Sequence, residues 1–159
     1  IEGGGRLHVK GPNVMLGYLR ADNPGVLEAP PNGWYDTGDI VSVDERRFIT
    51  ILGRAKRFCK IGGEMVSLNA IETKLLELYP DQAHAVVAVP DKKKGEQLVM
   101  FTTLAAPDRK EIATGLKKLG LAELMIPKTI FSLESLPILG SGKVDYVTIN
   151  RMARERVPE

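Results

Sequence analysis

The stretch that decides the fold is residues 69–105, "NAIETKLLELYPDQAHAVVAVPDKKKGEQLVMFTTLA". Its first part places Ile71, Leu75 and Leu78 at positions i, i+4 and i+7, which is the spacing of one apolar face on a helix. The apolar runs that follow, "AHAVVAVP" and "QLVMFTTLA", have the length and composition of buried strands. The charged segment "DKKKGE" between them predicts a turn, so this stretch indicates one helix followed by two strands.

Polar residues mark where this helix and the next one begin. Asn69 is followed three residues later by Glu72, which predicts a capping box, and Pro80 predicts the end of the helix. Asp108 and Glu111 repeat the same starting signal ahead of a second apolar stripe.

Further toward the C-terminus the alternation of helices and strands continues. "KTIFSL", residues 128–133, predicts a third strand, and residues 146–156 predict a last helix with Tyr146, Ile149 and Met152 on one side. The part from residue 69 onward therefore predicts a small α+β domain, a short sheet packed by about three helices.

The upstream part of the chain has a different pattern of apolar and turn-forming residues. Residues 6–52 alternate short apolar runs with Gly and Pro, which predicts strands, and Ile40–Leu52 predicts a hairpin that turns at "DERR". The basic segment "GRAKRFCK", residues 53–60, separates the two sequence patterns and predicts a linker or hinge. We therefore expect a β-rich portion, residues 1–55, before the α+β portion, residues 56–159.

Composition limits the possible functions. With 22 basic and 20 acidic residues the net charge is +2, which gives no reason to expect nucleic acid as the main partner. No apolar run is long enough to span a membrane. The single cysteine, Cys59, excludes an internal disulfide, and with only His8 and His84 beside it we expect no metal site. Because the chain opens without Met in strand-forming sequence, we expect a piece of a longer protein.

A lysine behind two glycines marks a candidate functional site. The segment "LPILGSGKVDY", residues 136–146, is not a phosphate-binding P-loop, because Pro137 stands where the first glycine is required and Val144 where Ser or Thr is required. Glycines at this point fit a lysine carried on a flexible turn. A solvated surface lysine is the alternative interpretation of Lys143.

Three motifs together resemble one enzyme family. In their order and spacing, "GWYDTGDI" (33–40), "GRAKRFCKIGGEMVSLNAIE" (53–72) and "LPILGSGKVDY" (136–146) resemble the end of the acyl-adenylate-forming superfamily, which includes acyl-CoA synthetases, peptide-synthetase adenylation domains and luciferases. With "YLRADNPGVLE", they look most similar to the bacterial bifunctional 2-acylglycerophosphoethanolamine acyltransferases/acyl-acyl carrier protein synthetases. The resemblance implies that residues 1–55 are the tail of the large AMP-binding domain and residues 56–159 its mobile C-terminal domain.

The resemblance assigns four residues to ATP and AMP. Asp39, with Thr37 of the same motif, corresponds to the residue that holds the ribose hydroxyls, and Arg54 to an arginine near ribose and phosphate. Lys143 corresponds to the catalytic lysine that stabilises negative charge at the α-phosphate during acid activation. The alternatives are a turn-capping aspartate and a solvated or salt-bridged arginine.

Other positions of the motifs correspond to moving parts of the family. Lys56 stands at the hinge residue, where many relatives have Asp, and Arg57 follows where Asp is also common. Gly62 and Gly63 correspond to a loop that lines the path of the phosphopantetheine arm. A plain linker lysine and a simple tight turn are the alternatives. Cys59 we expect to be a buried small hydrophobe.

The resemblance implies a ligase that activates a fatty acid with ATP to an acyl-adenylate and transfers it to the phosphopantetheine thiol of acyl carrier protein. It further implies re-acylation of lysophosphatidylethanolamine by an N-terminal region outside this sequence. Mg²⁺ would accompany ATP, with its site outside these residues, and this chain alone would be inactive. The alternatives are an acyl-CoA synthetase that uses coenzyme A and a non-catalytic module that docks a carrier protein or membrane.

The same resemblance implies a location. We expect the whole protein at the cytoplasmic face of the bacterial inner membrane and this piece to be soluble. The basic run "DKKKGE" and the arginines of the last helix, Arg151, Arg154 and Arg156, are candidates for docking an acidic carrier or anionic lipid, although such runs are usually solvated faces.

Overall fold

The computed structural model describes residues 4–157, and the chain divides into two units, Ile1–Lys56 and Arg57–Glu159. The outermost residues of both predicted portions, 1–3 and 158–159, lie outside the described residues.

The first unit consists of antiparallel strands. Three of them, β1 (Gly5–Val9), β4 (Tyr35–Val43) and β5 (Ile49–Arg54), form a sheet in the order β1-β4-β5. The short strands β2 (Tyr18–Leu19) and β3 (Leu27–Glu28) pair with each other. The predicted hairpin is confirmed as β4 and β5, with an Asp44 carboxylate that accepts a hydrogen bond from the Phe48 amide at the turn.

The first unit buries little of its apolar surface. Among its described residues only Ile40 and Val41 are buried. Large apolar side chains, such as Phe48, Ile49 and Ile51, are more than half exposed. So many exposed large apolar side chains beside so few buried ones are unusual for a free-standing soluble unit and are often found at an interface.

The second unit begins with a hairpin that the sequence did not predict. Strands β6 (Phe58–Ile61) and β7 (Glu64–Ser67) pair antiparallel, and Cys59 of β6 is buried. The prediction of a linker over residues 53–60 is therefore wrong for residues 53–54, which end β5, and for residues 58–60, which belong to β6; only residues 55–57 lie between the strands. Along β6, Cys59 and Ile61 enter the core while Lys60 between them is exposed.

Helix α1 (Leu68–Leu78) follows directly, and its start corrects the predicted cap. The Ser67 hydroxyl accepts a hydrogen bond from the Ala70 amide at 3.2 Å, so Ser67 is the N-cap. Asn69 lies inside the helix, and Glu72 makes no capping contact. The predicted end before Pro80 is confirmed.

A three-stranded mixed sheet forms the centre of the second unit. Strands β8 (His84–Asp91) and β9 (Gly95–Thr102) pair antiparallel, and β10 (Thr129–Ser132) pairs parallel to β9. Helices α2 (Arg109–Lys118) and α3 (Tyr146–Arg156) complete the unit. The predicted α+β class with three helices is confirmed.

The sheet separates two apolar cores because side chains alternate along each strand. Leu98 and Met100 of β9 belong to the first core, together with the β6–β7 hairpin, α1 and α2. Val99 and Phe101 belong to the second core, which α3 covers. Among residues 4–157, no helix has the length and apolar character needed to cross a membrane.

Candidate functional site

The Thr37–Asp39 turn lies within β4, where the pairing with β1 shifts its register, and hydrogen bonds from local side chains fix it. Gly38 has φ +73°, which favours glycine, and its amide donates to Asp36 Oδ1 at 2.9 Å. Thr37 Oγ1 accepts from the Asp39 amide at 3.1 Å and donates to the Leu7 carbonyl at 3.1 Å. Thr37 therefore shapes the turn and joins it to β1.

Arg54 lies directly opposite Asp39 in the register of β4 and β5. Its Nη1 is 3.1 Å from Asp39 Oδ1 and donates to the Thr37 carbonyl at 2.7 Å. The Asp39 side chain is 17% exposed and that of Arg54 is 66% exposed. We call Thr37, Asp39 and Arg54 the Asp39 cluster, which presents an oriented carboxylate beside a mostly solvated guanidinium.

Asp36 is a contributor to this turn that sequence reasoning missed. Arg6 Nε donates to Asp36 Oδ1 at 2.9 Å, and Arg6 Nη2 lies 2.5 Å from Oδ2. The hydrogen bond from Arg6, followed by that from the Gly38 amide, lowers the pKa of Asp36. An ionised Asp36 thus holds the Gly38 amide in the conformation that the turn requires.

An open cavity of about 860 Å³ lies beside this turn in the first unit. Tyr18, Trp34 and Tyr35 supply its aromatic lining, and Lys56, the predicted hinge residue, borders it. Tyr18 donates a long hydrogen bond to the Tyr35 hydroxyl at 3.4 Å.

Lys143 is exposed on a small hairpin of the second unit. Residues Ile138 and Val144 form an isolated antiparallel bridge, and the Leu139 amide donates to the Lys143 carbonyl at 2.7 Å. Gly142, with φ +78°, closes the turn by donating its amide to the Leu139 carbonyl at 2.8 Å. The lysine therefore projects from a hydrogen-bonded turn, whereas the sequence predicted a loose one.

The C-terminal end of this hairpin is anchored by α3. Val144 packs against the second core, and Asp145 is the N-cap of the helix. The Asp145 carboxylate accepts hydrogen bonds from the Thr148 hydroxyl, the Thr148 amide and the Val147 amide, and these bonds, the one from the hydroxyl first, lower the pKa of Asp145. The segment 138–144, which we call the Lys143 loop, thus leads into a well-capped helix.

Gly62 and Gly63 form the two-residue turn of the β6–β7 hairpin. Their φ values of +60° and +94° match the tight turns that favour glycine at both central positions. Among residues 4–157, no heavy atom other than those of the adjacent residues lies within 4 Å of the place that a Cβ would take at either glycine. Hairpin geometry alone accounts for both glycines, and their predicted role in the pantetheine path stays a prediction.

The two candidate stretches of the second unit lie on opposite faces of its sheet. The glycine hairpin belongs to the first core through Cys59 and Val66. The Lys143 loop belongs to the second core through Val144. The sheet therefore presents two different motifs to two different sides of this unit.

A partly buried polar cluster of the second unit was not predicted. Arg57 Nη2 lies 2.6 Å from Glu72 Oε1 as an ion pair without hydrogen-bond alignment, and Arg57 Nη1 donates to the Val86 carbonyl at 3.0 Å. The Tyr146 hydroxyl donates to Glu72 Oε2 at 2.9 Å. We call Arg57, Glu72 and Tyr146 the Arg57 cluster. The sequence signals its members only as separate polar residues.

Two further predictions concern chemistry and surface charge. Cys59 is buried, and burial raises its pKa to about 11, so the expectation of a buried thiol is confirmed. Arg156 is exposed, and its guanidinium also makes cation–π contacts with the rings of Phe101 and Phe131. Within residues 4–157 no group of three or more metal-ligating side chains is found.

Comparison with known proteins gives consistent matches. Residues 70–143 match the family described as "AMP-binding enzyme C-terminal domain". The chain is 32% identical to enterobactin synthase component E of Escherichia coli (strain K12), over 96% of this chain and 28% of that protein. It is 29% identical to the medium-chain fatty-acid–CoA ligase of the same organism, over 94% of this chain and 27% of that protein.

Solved structures give the same result. The o-succinylbenzoate CoA synthetase (MenE) from Bacillus subtilis, in complex with the acyl-adenylate OSB-AMP, has a TM-score of 0.75 at 31% identity, covering 98% of this chain and 31% of that one. ATP-bound MatB from Rhodopseudomonas palustris has a TM-score of 0.73 at 28% identity, with coverages of 96% and 31%. The chain thus spans less than a third of the length of these relatives.

Proposed function

Since this chain contains the AMP-binding enzyme C-terminal domain of the adenylate-forming superfamily, we propose that it is part of a ligase that activates a carboxylic acid with ATP and transfers the acyl group to a thiol. The observation that carries the proposal is the Asp39 cluster, in which Asp39 and Arg54 are registered across two strands. A carboxylate held in this way accepts charge-assisted hydrogen bonds from a ribose diol.

In the first step, a carboxylate oxygen of the acid bonds to the α-phosphorus of ATP and the bond to pyrophosphate breaks. Lys143, exposed on its hairpin, would stabilise the negative charge that accumulates at phosphorus. Arg54, with its largely solvated guanidinium, would contact the nucleotide beside Asp39. Mg²⁺, when bound with ATP, neutralises phosphate charge, and we propose that its ligands lie outside this chain.

In the second step, a thiol gives up its proton to solvent, its sulfur bonds to the acyl carbonyl carbon, and the carbon–oxygen bond to AMP breaks so that AMP leaves. We propose that the Gly62–Gly63 turn borders the path of the pantetheine arm, which the open space around both glycines supports. The placement of this turn and of the Lys143 loop on opposite faces of one sheet suits a unit that serves the two steps with different sides. Lys56, at the boundary of the two units, is the proposed hinge.

The first unit, by this proposal, is the tail of a larger AMP-binding domain. Its many exposed apolar side chains support this, because exposed apolar surface on a soluble unit often marks an interface with another part of the protein. We propose a fatty acid as the acid substrate and acyl carrier protein as the thiol acceptor. Lysophospholipid re-acylation would belong to a region outside this chain, in a protein at the cytoplasmic membrane face. The motif resemblance supports these finer assignments.

Coenzyme A is the second candidate acceptor, which the likeness to ligases named for CoA favours. The test is to reconstitute the whole ligase and measure ATP–pyrophosphate exchange with fatty acids, then acyl transfer to carrier protein and to coenzyme A in parallel. Thioester formation on carrier protein alone supports the first acceptor. Absence of exchange with every acid tried contradicts the ligase proposal itself.

A further inference from the structure

We propose that the Arg57 cluster is a positioning device that ties the first residue of the second unit to the base of the Lys143 loop. The inference rests on the proposed role of Lys143 and adds Arg57, Glu72 and Tyr146 as residues that act through it.

Arg57 is held from three sides although it directly follows the unit boundary. Its side chain is 15% exposed. It contacts β8 through the Val86 carbonyl and α1 through Glu72. Its guanidinium carbon lies 3.9 Å from the centroid of the Tyr146 ring, a close cation–π stacking distance. Any rotation between the units must therefore take place before Arg57, at Lys56 or earlier, unless these contacts break.

Glu72 connects the other members of the cluster. Its Oε1 accepts from the Val86 amide at 2.7 Å and lies beside Arg57, and its Oε2 accepts from the Tyr146 hydroxyl at 2.9 Å. The carboxylate is thus satisfied on both oxygens while its side chain is 12% exposed. A partly buried carboxylate with hydrogen-bond partners on β8 and α3 and an ion-pair partner in Arg57 fixes their relative orientation more strictly than apolar packing does.

Tyr146 connects Glu72 to the Lys143 loop. It is the first residue of α3 and follows Lys143 by three positions. Its amide donates to the Val144 carbonyl at 3.2 Å, and Val144 pairs with Ile138 across the Lys143 loop. Burial, followed by the nearby Glu72 carboxylate, raises the pKa of Tyr146 to about 12, so the hydroxyl remains a donor at any physiological pH.

The alternative is that the cluster only stabilises the unit. Replacing such an ion pair by well-packed apolar groups is often neutral for stability, so stability alone does not account for the charged groups at this place. The two explanations differ at the Lys143 loop. A positioning role requires that a small change at Glu72 or Tyr146 moves the loop while the unit stays folded.

The first measurement is a backbone NMR comparison of this chain with the variants Tyr146→Phe and Glu72→Gln. The matched control is Glu77→Gln, which breaks the exposed Lys74–Glu77 ion pair, also 2.6 Å, on the same helix. We expect shifted amide resonances and greater fast motion at residues 139–143 in the cluster variants and neither change in the control. An unchanged loop in folded Tyr146→Phe, which loses a single oxygen, overturns the inference even if Glu72→Gln does not fold.

The second measurement uses pyrophosphate exchange by the whole ligase. Tyr146→Phe should lower kcat about tenfold by displacing Lys143, a moderate loss for a misplaced catalytic group. KM for ATP should stay the same, because the Asp39 cluster lies in the other unit. An unchanged kcat overturns the inference. A wild-type ligase without exchange contradicts the proposed function instead, and the NMR comparison then still decides whether the cluster controls the loop.

Discussion

At the scale of single residues, Lys143 is distinguished from other exposed lysines by its support. Two backbone hydrogen bonds close its turn, and a capped helix begins three residues later. A cation presented from a preorganised turn loses little entropy when it meets developing charge, which is what transition-state stabilisation requires.

We therefore expect Lys143→Ala in the whole ligase to lower the adenylation rate by about 100-fold, the loss typical of one preorganised electrostatic donor. Transfer from a supplied acyl-adenylate to the thiol should be largely spared. Pyrophosphate exchange measures the first step and thioester formation the second, with Lys118→Ala as an exposed-lysine control. Equal loss in both steps would assign Lys143 a structural role.

His84 provides a prediction of pH dependence. Its Nδ1 lies 2.9 Å from the hydroxyl of buried Thr102, and burial, partly opposed by the Tyr79 carbonyl, lowers the pKa of His84 below its ordinary value of 6.5. The unfolded chain then binds the proton more readily, so stability is complete above pH 6.5 and decreases as the pH falls toward the folded pKa. Urea unfolding should show this decrease, and His84→Gln should weaken it. The same pH profile in both proteins would exclude His84 as the cause.

At the scale of elements, the start of α1 depends on a residue outside the apolar pattern. Ser67 ends β7 and caps the helix through its hydroxyl. Ser67→Ala should lower the free energy of unfolding by about 1 kcal/mol, the usual effect of losing an N-cap. Asn69→Ala, at the cap position that the sequence predicted, should have little effect. Urea denaturation of both variants makes the comparison, and the reverse ranking would restore Asn69 as the cap.

Substitutions in the glycine hairpin can distinguish the role of Gly63 in forming the turn from its proposed role in the pantetheine path. Gly63→Val and Gly120→Val both introduce a branched side chain at positive φ, +94° and +88°, with no atom near the new Cβ. Both should be destabilised by about 1–3 kcal/mol because of backbone strain. Only Gly63→Val should slow thioester formation from the acyl-adenylate, with pyrophosphate exchange unaffected. Similar transfer rates in the two variants would mean that Gly63 serves only to form the hairpin turn.

At the scale of the whole molecule, the boundary between the units is narrow. Lys56 is exposed, whereas Arg57 is held by the contacts of its cluster. Lys60 lies in β6, and its amide donates a hydrogen bond to Glu96 Oε2 of β9 at 2.6 Å. We expect trypsin to cut after Lys56 well before it cuts after Lys60, since cleavage requires local opening of the backbone. Mass spectrometry of early digestion products reports the order. Earlier cleavage after Lys60 would mean that β6 opens more easily than the boundary.

Much of the second unit could be predicted from the sequence because its signals are local. The apolar stripe of α2, its Asp108 cap and the bounds of α3 follow from helical spacing and neighbouring polar residues. The motifs around Asp39 and Lys143 also lie within short segments, so the sequence alone indicated the family and the candidate residues.

Only the tertiary structure decided the contacts between distant segments. Whether Glu72 caps its own helix or joins Arg57 and Tyr146 depends on how α1 and α3 pack on the sheet, which neighbouring residues do not encode. In the same way, the pairing of β6 with β7 turned a basic segment into a strand with a buried Cys59. The sequence determined the elements and motifs through local physics, and packing of a sheet with two faces determined which of them meet.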